Sequence, residues 1–297
     1  MSVIFRLEAP YRGEYNLHRL TFGGSGPAAV AMVAGLHGNE VNGIQALNLV
    51  AGMLRVMRPK RPVHLLPCVN SIGADEARKR WPFDDRDINA AFPGDPEGAA
   101  VERIAAAVMD GTDAELCIDV HSGATTVREH PHVRVPLSGR ELEHARAMML
   151  PVVWRRRGDR YEGGLVGAWR GAGREAMQVR GGRGLTLDMD DATTLARGLV
   201  RLLAHLGLIG HQDVGTPSHD TDHVQDYRSM SGGFFVPEVQ TGERVVHGKL
   251  LGLVRNPLGG EPIEEIRALK AGLVLAVRVY PMVHAQELVV RIAEDPN

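Results

Sequence analysis

The sequence predicts an α/β protein: a mixed, mostly parallel sheet flanked by helices, followed by a small all-β module at the C-terminus. Three observations predict it. The runs "AAVAMVAGL" (28–36) and "AELCIDV" (114–120) are apolar enough to be strands buried on both faces. Stretches with apolar residues at helical spacing alternate with them, as crossover connections between parallel strands require. Beyond residue 231 the helical spacing gives way to short alternating runs between Gly-containing turns.

The elements follow in order. Residues 1–25 alternate weakly and suit one or two edge strands before the buried strand. "GIQALNLVAGMLRVM" (43–57) has a helical apolar face and stops before Pro59. "VHLLPCVN" is a second strand, and a long charged loop, "SIGADEARKRWPFDDRDINAAFPGDP", separates it from the helix "AAVERIAAAVMD". The strand "AELCIDV" then ends at His121. From 122 to 184 the pattern is irregular, with basic turns such as "RRRGDRYEGG", where Tyr161 lies. "GLTLDMD" (184–190) is expected to be a short strand, and "TLARGLVRLLAHLGL" a helix. The expected organisation is an α/β domain over 1–210, a polar linker over 211–231 and the β-rich module over 232–297.

Composition narrows the classes of function. A formal charge of −2 is not that of a nucleic-acid surface, and 44% hydrophobic with 24% charged residues is ordinary for a soluble globular chain. No stretch approaches a membrane span, and the N-terminus lacks a basic segment followed by an apolar one. The two cysteines, Cys68 and Cys117, sit in apolar runs and read as buried thiols, which fits a cytoplasmic protein. The assembly is left open, a homo-oligomer being the commonest form.

The chemistry concentrates at strand ends. In "LHGNEVNG" His37 and Glu40 follow the first buried strand, and in "CIDVHSG" His121 ends the third. An open sheet binds ligands beyond its carboxyl strand ends. Imidazole nitrogens and a carboxylate are also the ligand types of a catalytic zinc, which takes three protein ligands and keeps a fourth position open. Asp119, two residues before His121 on the same strand face, suits an acceptor for the other nitrogen of that ring.

These residues give the chain its resemblance. Gly35, His37, Gly38, Asn39, Glu40 and Gly43, then "RWPFDDRDINAAFPG" from Arg80 to Gly94, then Asp119 to Gly123 match in order and spacing the three signatures of the succinylglutamate desuccinylase/aspartoacylase family. That family comprises zinc hydrolases related to the zinc carboxypeptidases. The resemblance implies a zinc carboxypeptidase-like fold and one Zn2+ per chain on His37, Glu40 and His121. It also implies Arg80 as oxyanion stabiliser, Asn89 as a ligand for the substrate's polar end, and a small acylated substrate. Two positions depart from the pattern. Ala90 stands where the family has an arginine that clamps a substrate carboxylate, leaving Arg86, Arg78 or an arginine between 155 and 183 to take over. Asp188 stands in the place of the family's catalytic Glu, with Asp190, Asp191 and Glu175 as rivals for the base. The expected activity is hydrolysis of the amide bond in a small N-acylated amine or amino-acid derivative. The alternatives are a carboxypeptidase-like or lactam-opening hydrolase on the same scaffold, and a catalytically silent zinc- or ligand-binding homologue.

Overall fold

The computed structural model describes residues 1–9, 13–156, 163–210, 213 and 215–295; Tyr161 lies outside them. The chain begins with β1 (Ser2–Ala9), β2 (Gly13–Phe22) and β3 (Ala28–Ala34), then α1 (Val41–Met57), β4 (Val63–Leu66) and α2 (Ser71–Asp75). A 3-10 turn (Ile88–Ala91) precedes α3 (Ala100–Gly111), β5 (Ala114–Gly123), β6 (Val127–Pro136), α4 (Arg140–Ala147) and β7 (Val152–Arg156). Next come α5 (Gly164–Gly171), β8 (Glu175–Arg183), α6 (Met189–His205), β9 (His219–Thr221) and β10 (Val224–Arg228). The last seven strands are β11 (Gly233–Pro237), β12 (Arg244–Val245), β13 (Leu250–Arg255), β14 (Pro262–Arg267), β15 (Gly272–Arg278), β16 (Met282–Val283) and β17 (Leu288–Glu294).

Among the described residues thirteen strands share one sheet, whose main path runs β1, β2, β4, β3, β5, β8, β6, β15, β17, β10. Its centre, β4 to β8, is parallel, and antiparallel strands flank it on both sides. β3 is buried along its whole length, as its apolar run requires. One face is covered by α1, α4 and α6, whose Leu47, Leu54, Leu195 and Leu199 pack on Met32, Ile118 and Val179. The other is covered in part by α3 and α5, with Ile104, Val108 and Trp169 against Val33 and Cys117. Toward β8 and β6 that second face carries polar side chains, Gln178, Arg180, Glu129 and His132 among them, and Glu129 and His132 are buried.

The chain turns sharply as it leaves β3. Gly35 has φ +65°, a left-handed conformation that an L side chain adopts only with strain, and a Cβ on Gly38 would stand 2.2 Å from the backbone of Gly73. These glycines let Leu36–Glu40 cross the sheet end in close contact with α2.

Three expectations about elements are corrected. The segment 184–190 is not a strand: Leu185, Leu187 and Met189 are half exposed, and Asp188 caps α6 by accepting from Asp190 N and Asp191 N. The strand beside β5 is instead β8, "EAMQVRGGR", whose polar residues concealed it. The region 122–184 is mostly regular, containing β6, α4, β7, α5 and β8. Finally, the stretch taken for a linker supplies β9 and β10, both paired into the large sheet. The C-terminal strands β15 and β17 extend that same sheet, with Ala276 opposite Glu129 across the β6–β15 pair, while β14, β13, β11 and β16 form a second, four-stranded sheet.

Candidate metal centre

β3, α1 and β5 bring His37, Glu40 and His121 together. All three are buried, and one ligand atom from each lies within 4.8 Å of the others. Glu40 stands at the N-cap of α1 and divides its carboxylate between the two rings. Oε1 is 2.8 Å from His37 Nδ1, and Oε2 is 2.7 Å from His121 Nδ1 while accepting from Ser122 N at 3.0 Å. The far nitrogen of each ring meets another carboxylate: His37 Nε2 is 3.1 Å from Asp87 Oδ1, and His121 Nε2 is 2.6 Å from Asp119 Oδ2. Both imidazoles therefore turn Nδ1 toward one point and are oriented from behind.

The electrostatics call for a cation. Three carboxylates surround two imidazoles in a largely dry pocket, and isolated buried anions are costly. Burial disfavours a charged His121, yet Asp119 and Glu40 outweigh it and push the ring up to about 9. At His37 burial is likewise outweighed, by the bonds to Asp87 and Glu40, and the ring is raised. Glu40 moves the other way: burial opposes its charge, but His121 and His37 hold it well below the usual carboxylate range. Burial also opposes the charge on Asp87, but His37, Asn89 N and Lys79 hold it at about 2. A divalent ion held by His37, Glu40 and His121 would balance these carboxylates with both imidazoles neutral. Asp119 Oδ1 is buried with no hydrogen-bond partner among the described residues, so this acceptor set has capacity to spare. The residues fit a metal ion of the zinc type, both in donor chemistry and in their outer hydrogen bonds.

The remaining expected residues lie around this core at different distances from its chemistry. Arg80 is half exposed and its Nη1 pairs with Asp85 Oδ2 at 3.1 Å. Its loop is tied to the sheet end through Gly38 N, which donates to Lys79 O. Arg86 pairs with Glu102 of α3 at 2.8 Å, so it holds the loop to a helix. Asn89 accepts from Leu165 N at the start of α5 and borders a cleft of about 60 Å3 with Asp119, Gln178 and Arg156. Asp188 does not join His37, Glu40 and His121. Beyond capping α6 it pairs with Arg128 at 2.6 Å, and α6 packs on the sheet face opposite the one that carries Asp119 and His121.

The sequence reading passed over the residues beside the triad on β8 and β6. In the parallel pairing Gln178 stands opposite Asp119 and Arg180 opposite His121. Gln178 Nε2 donates to Asp119 Oδ2 at 3.3 Å, and Arg180 Nε donates to Glu129 Oε2 at 2.7 Å. The alternation of Gln178 and Arg180 with the apolar Met177 and Val179 was the signal for a strand with one polar face. A wider groove of about 710 Å3 lies elsewhere, at β2 and α2 beside Cys68.

The chain matches the succinylglutamate desuccinylase/aspartoacylase catalytic domain over residues 27–206. It is 28% identical over 289 residues to the N-alpha-acetyl-L-2,4-diaminobutyric acid deacetylase of Halomonas elongata, covering 91% of this chain and 83% of that one. Among solved structures, a succinylglutamate desuccinylase/aspartoacylase from Rhodobacter sphaeroides superposes with a TM-score of 0.81 at 21% identity, over 96% of this chain and 91% of that one. The product-bound ectoine utilization protein EutE (DoeB) of Ruegeria pomeroyi gives 0.82 at 20% identity, over 97% and 93%. These two share the fold. With the catalytic-domain match spanning more than half of its length, the chain belongs to the succinylglutamate desuccinylase/aspartoacylase family.

Proposed function

We propose that this protein is a zinc-dependent hydrolase that cleaves the amide bond of a small N-acylated amine or amino-acid derivative. The observation that carries this reading is the convergence of His37 Nδ1, Glu40 and His121 Nδ1, each ring backed by a carboxylate. These three residues would hold one ion per chain. Bound there, zinc supplies a Lewis acid and brings the pKa of a coordinated water toward about 7. Asp119 and Asp87 keep the Nε2 protons of the two rings and so fix the tautomer that presents Nδ1. Arg80 stabilises the negative charge that develops on the scissile carbonyl oxygen, exchanging its exposed partner Asp85 for substrate. Asn89, at the cleft beside Asp119, orients the polar end of the substrate. The Halomonas relative, named for removing an acetyl group from a diamino acid, favours a small acylated amine over a peptide. Free thiols at Cys68 and Cys117 accord with action in the cytoplasm, and among the described residues no helix is long and apolar enough to cross a membrane.

One observation favours a second reading. Beside His121 strand β8 presents Arg180 rather than a carboxylate, and Asp188, the expected base, caps α6 and pairs with Arg128. A zinc- or ligand-binding homologue without turnover accounts for that arrangement. Elemental analysis of the purified protein and of His121→Ala, with amine release measured over N-acyl amino acids and short peptides, separates the readings. About one zinc per chain with amine release supports the hydrolase. Zinc without release from any amide selects the silent homologue, and no metal in either protein overturns the hydrolase and the zinc-binding homologue alike.

A further inference from the structure

Arg180 occupies the position beside His121 with unusual fixity. Its Nε donates to Glu129 Oε2 at 2.7 Å and its Nη2 to the Ser122 carbonyl at 2.8 Å, so the guanidinium plane is held from two sides. Two of five N–H groups are used in this way. Those on Nη1 have no partner among the described residues, and 16% of the side chain reaches solvent. Glu129 is the buffer of a wider cationic cluster rather than the private partner of Arg180. Arg134 lies 3.4 Å and Arg291 4.0 Å from its carboxylate, and both stack on Trp154, at 4.7 and 5.3 Å from the ring centre. Three guanidiniums thus share the Glu129 carboxylate, Arg291 also meeting Asp226, while Glu40 and Asp119 act on Arg180 from the side of the triad. The family's carboxylate clamp is missing at Ala90, and two arginines of that loop are engaged in ion pairs, Arg86 with Glu102 and Arg78 with Glu76 and Asp85.

We propose that Arg180 is the carboxylate-recognising residue of this site, taking an anionic oxygen of the ligand through its uncommitted N–H groups while Glu129 and the Ser122 carbonyl hold the guanidinium in place. The inference rests on His37, Glu40 and His121 being the ligand centre and does not require turnover. It deepens the proposed function by naming the ligand class: an acylated amine that bears a carboxylate on its amine half or its acyl half. A guanidinium already immobilised by the fold loses little freedom on binding an anion, and a charge-assisted bond to a carboxylate is among the stronger polar contacts.

The test is calorimetric titration of the zinc-loaded protein with N-acetylalanine, N-acetylalaninamide and N-succinylmethylamine, alongside Arg180→Gln and Arg180→Lys. The parent is expected to bind one of the acids at least about 10-fold more tightly than the amide, the preferred acid telling which half carries the carboxylate. Arg180→Gln should erase that preference, by about 10- to 100-fold, while zinc content and binding of the amide stay unchanged. Arg180→Lys, which keeps the charge without the planar fork, should recover part of it and decides the matter if Arg180→Gln does not fold. Equal binding of acids and amide by the parent overturns the proposal. So does a variant that weakens acid and amide by the same factor, the outcome of a purely architectural Arg180–Glu129 pair. A parent that binds acids through Arg180 but releases no amine sinks the hydrolase reading alone.

Discussion

Substitution of Asp188 separates a cap from a base. The Asp188 side chain accepts from Asp190 N at 3.2 Å and Asp191 N at 3.1 Å, which satisfies two of the donors that a helix start leaves open. Losing such a cap to alanine costs about 1 kcal/mol. The pair with Arg128 adds little, roughly 0 to 1 kcal/mol, because the Arg128 side chain is 40% exposed and water screens it. Part of that is returned, since removing the Asp188 charge relieves its repulsion of Asp191. The net expectation for Asp188→Ala is about 1 kcal/mol, seen as a fall of about 2–4 °C in melting temperature. Asparagine caps as well as aspartate, so Asp188→Asn should stay within about 0.5 kcal/mol of the parent. Scanning calorimetry of both variants, with zinc content and amine release measured on the same samples, gives the answer. The reasoning fails if Asp188→Asn melts like the parent and keeps its metal yet loses turnover, because the charge would then be catalytic. It also fails if the asparagine variant is as unstable as the alanine one.

Two other outcomes follow from the same coordinates. Asp119→Asn should weaken zinc retention against a competing chelator by about 10- to 100-fold, because it removes the carboxylate behind His121; unchanged retention would mean that His121 is oriented without it. Asp191 is pushed up to about 6, by burial and by the charges of Asp188 and Asp190, against Arg128. A carboxyl raised on folding contributes stability that is fully present below pH 4 and lost as pH rises through about 6. Urea unfolding should therefore show a decline between about pH 4 and pH 6 that Asp191→Asn flattens, and identical slopes for the two proteins would show that Asp191 is not the source.

The centre of this protein was legible because its chemistry is encoded locally. Continuous apolar runs marked β3 and β5, and His37, Glu40 and His121 stand within a few residues of their ends, where the geometry of a parallel sheet leaves side chains little choice of direction. Local pattern misled where a strand has one polar face. β8 and β6 turn Gln178, Arg180, Glu129 and Arg134 toward the site, so they read as irregular, while the half-exposed leucines of "GLTLDMD" imitated a buried strand. Asp188 lies in that segment and caps α6. The extent of the sheet was hidden for a different reason. The pairing of β15 with β6 joins residues about 150 positions apart, and alternation within either strand is the same whether its partner is near or far in the chain.

By itself the sequence determined the ligand types, their order and the parallel strands that deliver them, because those depend on residues adjacent in the chain. Only the tertiary structure decided what stands next to them. The register of β8 against β5 places a guanidinium rather than a carboxylate beside His121, and the start of α6 engages Asp188 as its cap and as a partner of Arg128. Strand register and sheet order arise from how whole faces fit together, and one segment read alone carries no record of that fit.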